Sequence, residues 1–190
     1  SNTFLEEALN SSKKMHTKTM SMVEDSWIAI SKGDQKLAES VLERDDEIDE
    51  LDVKIRKNVL AYLSSMPTGG NVELSLILID ISTALEKIAD HAQWIAETST
   101  HIPALEKDDY TKKLGKMHKL VLEIGKDVKT AFGKSDKKKA KSAIAKVDTV
   151  RRLNREIVED LRRDKKISAE KAIAIWSVTM NLKRMAAYSK

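Results

Sequence analysis

Residues 34–55 read DQKLAESVLERDDEIDELDVKI, and residues 136–157 read DKKKAKSAIAKVDTVRRLNREI. An ungapped shift of 102 lays the first stretch on the second. It places Asp34 on Asp136, Ala38 on Ala140, Ser40 on Ser142, Leu42 on Ile144, Ile48 on Val150, Leu51 on Leu153 and Ile55 on Ile157, and it reaches back to put Ala29 on Ala131. Within the first copy Leu37, Val41, Ile48, Leu51, Ile55, Val59 and Tyr62 recur at steps of three, four and seven, which is the period of one helical face. Asp34 follows Gly33 and precedes that face, where a helix needs an oxygen to accept its first free N–H groups. The stretch is a long amphipathic helix that occurs twice, and the fold is built around it.

Outward from this helix, the punctuation divides the chain into six helices. The first runs from about Thr3 to Ser31 and stops at Gly33, and the second continues from Asp34 to about Ser65. Met66-Pro67-Thr68-Gly69-Gly70 ends it, because Pro lacks the N–H and paired Gly cannot sustain a helix. The third, about Asn71 to Ser99, is the most apolar and is expected to be the most buried. Pro103 opens a fourth that ends near Gly133, the fifth spans about Asp136 to Arg163, and the sixth follows a Ser168 cap to the last residue. The third and sixth match at a shift of 97, with Leu85 on Leu182 and Ile88 on Met185. The change of shift falls in a loop, where deletion is tolerated. The expected fold is all-α, two tandem three-helix bundles, with residues 1–102 as an acidic first repeat and 103–190 as a basic second repeat.

Composition narrows the function. Six Gly, two Pro and 4% aromatics among 190 residues leave few loops in which to build an active site. There is no Cys, which excludes thiolate nucleophiles and Cys-based zinc sites. No nucleotide-binding loop, nucleophile elbow or HExxH is present, so the chain is expected not to be an enzyme. No apolar run approaches the ~20 residues needed to cross a bilayer, and no basic-then-apolar leader stands at the N-terminus, which points to the cytoplasm. The net charge of +4 conceals an imbalance. Residues 1–102 carry 10 Lys+Arg against 18 Asp+Glu, and residues 103–190 carry 24 against 12, giving −8 and +12. Halves of opposite sign predict self-association between copies, and the basic half also suits an anionic membrane surface.

The carboxylates are the candidate site. Asp45 and Asp49 lie four apart on the second helix, and Glu86 and Asp90 lie four apart on the third. A short loop makes those helices antiparallel neighbours, and both pairs stand about twenty residues from it, hence at one height. Four facing carboxylates repel unless neutralised, and a hard or borderline cation with oxygen ligands is the natural partner. Spacing alone is weak, since i,i+4 carboxylates commonly decorate a solvated face.

The surrounding residues say more. Glu43-Arg44-Asp45-Asp46-Glu47-Ile48-Asp49-Glu50-Leu51 resembles the first acidic motif of the PhoU family. Leu85-Glu86-Lys87-Ile88-Ala89-Asp90-His91-Ala92 resembles the second, usually L-E-R-I-G-D-H-A, with Lys87 in place of Arg and Ala89 in place of Gly. The resemblance covers essentially the whole chain. It implies a two-repeat regulator of phosphate uptake that associates with a phosphate transporter and its signalling kinase, and a metal ion, iron or zinc, on these acidic motifs. The same resemblance admits an alternative, the cytoplasmic regulatory domain of a sodium–phosphate cotransporter.

The second repeat departs from the pattern. Asp45 falls on Val147, Asp49 on Arg151, Glu86 on Lys183 and Asp90 on Ala187, so any metal belongs to the first repeat. Arg151 and Lys183 are expected to find Asp148 and Glu156 as partners. His91 follows Asp90 and could assist a metal, but a capped or solvent-facing His is the commoner case. A ferritin-like di-iron centre is excluded, because none of His16, His91, His101 and His118 has a Glu three residues earlier. The runs Lys134–Lys141 and Arg151 to Lys166 raise a nucleic-acid reading. Without interleaved aromatics it ranks below a solvated helix face. Trp27, Trp94 and Trp176 are expected in the core.

Overall fold

The computed structural model describes residues 2–188 except 67 and 69, with Asn2 described by its backbone only. These residues form seven helices, α1 (Asn2–Lys32), α2 (Gln35–Leu42), α3 (Asp45–Ser65), α4 (Val72–His101), α5 (Asp109–Lys134), α6 (Lys137–Arg163) and α7 (Ala169–Ala187). The all-α, two-repeat fold class is as the sequence implies, with one interruption. The expected second helix is α2 plus α3, parted at Glu43 and Arg44. The cause lies in Arg44, whose Nε donates to the Ser40 carbonyl at 3.1 Å, the acceptor its own backbone N–H would use in an unbroken helix. That N–H turns to Val41 O instead, at 3.2 Å.

The caps reproduce the repeat residue by residue. Asp34 accepts from Leu37 N, and Asp136, 102 residues on, accepts from Lys138 and Lys139 N. The preceding residues, Gly33 and Ser135, both take positive φ, 69° and 52°. Asn71 caps α4 and Ser168, 97 residues on, caps α7. Side chains follow the same rule. Arg44 Nη2 meets Asp25 Oδ2 at 2.6 Å, and their counterparts Lys146 and Asp127 meet at 2.7 Å.

Two boundaries differ from the sequence reading. Pro103 does not open a helix. Residues 102–108 run irregularly over the end of α1, where Leu105 N donates to Ile30 O, and α5 starts after Asp108, whose carboxylate accepts from Thr111 N. The expected break at Pro67 and Gly69 lies outside the described residues. Around it α3 ends at Ser65, and the Tyr62 hydroxyl accepts the Asn71 N–H at 3.0 Å. The sixth helix of the sequence reading is α7, which ends at Ala187 with Tyr188 as its cap, and residues 189 and 190 are outside the described set.

α4 supplies more buried residues than any other helix, although the shorter α7 buries a larger share of its own. α4 packs on α1, α2, α3 and α7, and Leu78, Leu85, Ile88, Ala92 and Ile95 join one apolar core that runs through both repeats. The repeats meet along α1–α5 and α4–α7. On the first seam His16 Nε2 donates to Gly125 O at 2.9 Å, while the ring of its counterpart His118 stacks on Trp27. Residue 16 meets 125 and residue 27 meets 118, so the α1–α5 crossing is antiparallel. No helix is long and apolar enough to cross a membrane among the described residues.

Candidate metal centre

Asp45 and Asp49 stand on the first turns of α3, and Glu86 and Asp90 stand midway along α4. Ile48, Leu51 and Ile55 from α3 and Leu85, Ile88 and Ala89 from α4 are buried between the helices, which turns the intervening acidic positions outward. Asp45, Glu86 and Asp90 are half-buried and Asp49 is exposed. Among the described residues none of the four makes a hydrogen bond or an ion pair with a cation. Their carboxyls respond accordingly. Burial, then repulsion from Asp45 and Asp90, holds Asp49 above the ordinary carboxylate range. Burial, then Asp52, Asp90 and Asp49, raises Glu86, and burial with Asp45 raises Asp90. The structure thus brings the four sequence-predicted residues into one electrostatic group.

A fifth carboxylate belongs to it. Asp52, on the same stripe of α3, accepts from Ser82 Oγ at 2.5 Å and is clasped by Arg56, whose Nη2 also donates to Thr83 Oγ1 at 2.8 Å. The sequence held a signal for it, since Asp52 is three residues from Asp49 and falls on Asn154 in the second repeat. There Asn154 Nδ2 donates to Thr179 Oγ1 at 3.1 Å. Behind each pair sits a Met, Met15 under Ser82 and Met117 under Thr179. The polar scaffold persists in both repeats while the charge above it has gone.

These residues fit a cation by donor type, being hard oxygen ligands, and only Asp52 among them is paired with a basic side chain, Arg56. They are not drawn into a closed cage. Among the described residues no three His, Asp or Glu side chains are gathered tightly enough to hold a metal ion.

His91 takes neither role the sequence offered. It is buried, its Nδ1 donates to Asn181 Oδ1 of α7 at 2.8 Å, and its ring stacks on Tyr188 and meets the edge of Trp94. It ties the two repeats together. In the second repeat Arg151 reaches Asp148, but only at 3.9 Å. Glu156 pairs with Arg152 at 2.6 Å rather than with Lys183, which has no ion-pair partner among the described residues.

The tryptophans divide. Trp27 is half-buried and stacks on His118 at 5.4 Å, as a core residue would. Trp94 and Trp176, expected in the core, are 50% and 52% exposed. Trp94 continues the outward stripe of Glu86 and Asp90, and Trp176 begins the matching stripe of α7, so neither shares a face with its helix's buried residues.

Paired three-helix repeats that carry an open charged face define an all-helical scaffold of a recognisable class. The PhoU domain model matches residues 12–99 and 114–190, and the chain belongs to that family. Among curated relatives, the phosphate-specific transport system accessory protein PhoU homologue of Aquifex aeolicus is 27% identical over 158 residues, 83% of this chain and 72% of its own. The homologue from Clostridium acetobutylicum is 26% identical over 159 residues, 83% of this chain and 73% of its own. In three dimensions the chain is similar to crystalline PhoU from Pseudomonas aeruginosa, with TM-score 0.88, 22% identity, and coverage of 99% of this chain and 92% of that one. PhoU from Streptococcus pneumoniae superposes with TM-score 0.87 at 19% identity, covering 97% and 89%.

Proposed function

We propose that this chain is a non-enzymatic regulator of phosphate homeostasis that works in the cytoplasm by docking on a phosphate transporter and its signalling kinase, with a metal ion held at Asp45, Asp49, Glu86 and Asp90. Family membership supports the regulatory role, and the names of the curated relatives supply the transport system. The observation that supports the metal is the set of mutually repelling carboxylates, which form no ion pair with Lys or Arg among the described residues and are replaced by Arg151, Lys183 and apolar residues in the second repeat. A bound cation, iron or zinc by family resemblance, would supply positive charge at the α3–α4 surface. The protein's own part is to hold the four oxygens at one height and leave that surface open.

The test is a gene deletion complemented with wild type or with Glu86→Gln/Asp90→Asn. Wild type should restore phosphate-dependent control of uptake, and elemental analysis of the purified proteins should show metal depleted in the variant. Uptake unaffected by the deletion would overturn the regulatory reading. Equal metal content in both proteins would overturn the ligand assignment.

A further inference from the structure

We infer that Arg44 is the positioning residue of the acidic site. By taking the Ser40 carbonyl it breaks the long helix just before Asp45, and the break turns that carboxylate out of the core towards Asp49 and Asp90. The inference deepens the proposed function and rests on its ligand assignment.

The second repeat shows what the same stretch does without a break. α6 runs uninterrupted from Lys137 to Arg163, and Ala143, Val147 and Val150 are buried along its core face at steps of four and three. Their equivalents by the shift of 102 are Val41, Asp45 and Ile48. Val41 and Ile48 are buried, as the register requires. Asp45, between them, is only half-buried, and it stands close enough to Asp49 and Asp90 to raise both carboxyls. An unbroken helix would carry Asp45 to the place of Val147, which is 1% exposed. A carboxylate without a partner is costly there.

Arg44 has the shape for this task, and its counterpart Lys146 has not. While Nε donates to Ser40 O, Nη2 reaches Asp25 Oδ2 at 2.6 Å and Ser40 Oγ at 3.0 Å, and Nη1 reaches Ser21 Oγ at 3.3 Å. A planar fork can hold a backbone carbonyl and a carboxylate at once. Lys146 has a single nitrogen, whose closest partner is Asp127 at 2.7 Å, and Ser142 Oγ donates to the same carboxylate at 2.8 Å. The Ser142 carbonyl is left to the helix. Arginine thus precedes the acid and lysine precedes the valine, each pair matched to its own backbone.

The test is a double-mutant cycle on the full chain in chelator, with Arg44→Lys, Asp45→Val and the two together, which imports the Lys146–Val147 pair. Arg44→Lys should melt below wild type by roughly 5 °C, because the chain must either bury Asp45 or leave the break without its bonds. Asp45→Val should shift the melting temperature upward by more in Arg44→Lys than in wild type. The double variant should also exchange amide hydrogens more slowly at residues 44–46, where a continuous helix has formed. Equal shifts in both backgrounds, or unchanged exchange in the double variant, would overturn the inference and leave Arg44 serving the Asp25 ion pair alone. A second arm measures zinc binding to folded protein by equilibrium dialysis. Arg44→Lys should bind zinc roughly tenfold more weakly than wild type, as loss of a residue that orients a ligand does. Equal affinity would also overturn the inference. Wild type that takes up no zinc would remove the metal reading, and the cycle in chelator would still decide the role of Arg44.

Discussion

His118 shows how one buried ring couples the protein to pH. It is buried against Trp27, and burial pushes its pKa from 6.5 down to about 4. A His whose folded value lies below its unfolded one adds stability that is complete above about pH 6.5 and is lost as pH falls towards 4, here about 3 kcal/mol. His118→Phe keeps an aromatic ring and removes the titration. Urea unfolding from pH 7.5 to 4 should show the variant losing less stability than wild type through that window, and parallel curves would contradict it. The acidic group acts in the opposite sense. Asp49, Glu86 and Asp90 are raised, so their ionisation opposes folding as pH climbs through their folded values. In chelator, Asp49→Asn/Asp90→Asn should therefore melt above wild type at pH 7, and the gap should close near pH 4. A gap of the same size at both pH values would show that repulsion is not its source.

At the scale of elements, the α1–α5 seam depends on a missing side chain. A Cβ at Gly125 would run into the sulfur of Met20, the flexible end of a long side chain. Gly125→Ala should be absorbed by a Met20 rotamer change at little cost. Gly125→Leu should separate the helices and cost about 1–3 kcal/mol, measured by thermal melting. Helix existence, caps and repeat register were legible in the chain because each rests on local chemistry, such as Asp34, Asn71, Asp136 and Ser168 at helix starts. The α2–α3 break was not, because it arises when the Arg44 side chain takes the Ser40 carbonyl, and no periodicity records that choice. The seam between repeats was equally hidden. Trp94 and Trp176 look like core residues to a count of apolar positions, and only the place of their stripes against α7 and α4 puts them outside. His91 reads as a possible ligand beside Asp90 until Asn181 of the other repeat claims its Nδ1. The four carboxylates were readable from spacing and motif, whereas Asp52 needed Ser82 and Arg56 beside it to show its place.

For the molecule as a whole, one scaffold carries two opposite charge states on equivalent surfaces. The scaffold terms, Asp52–Ser82 over Met15 and Asn154–Thr179 over Met117, are retained in both repeats, so the second retains the form of the site without its charge. Restoring acids should then restore a site. Arg151→Asp, Lys183→Glu and Ala187→Asp place carboxylates at the equivalents of Asp49, Glu86 and Asp90. Val147, the equivalent of Asp45, is 1% exposed, and an Asp there would bury a charge without a partner, so it is left unchanged. The other three positions are at least partly open to solvent, and the fold should tolerate them. If the carboxylate group is what recruits the ion, the triple variant should bind more zinc per chain than wild type, measured by equilibrium dialysis with folding checked by circular dichroism. A folded variant with unchanged zinc stoichiometry would mean that ligand geometry specific to α3 and α4, such as the early turn placed by the Arg44 break, is required in addition to charge.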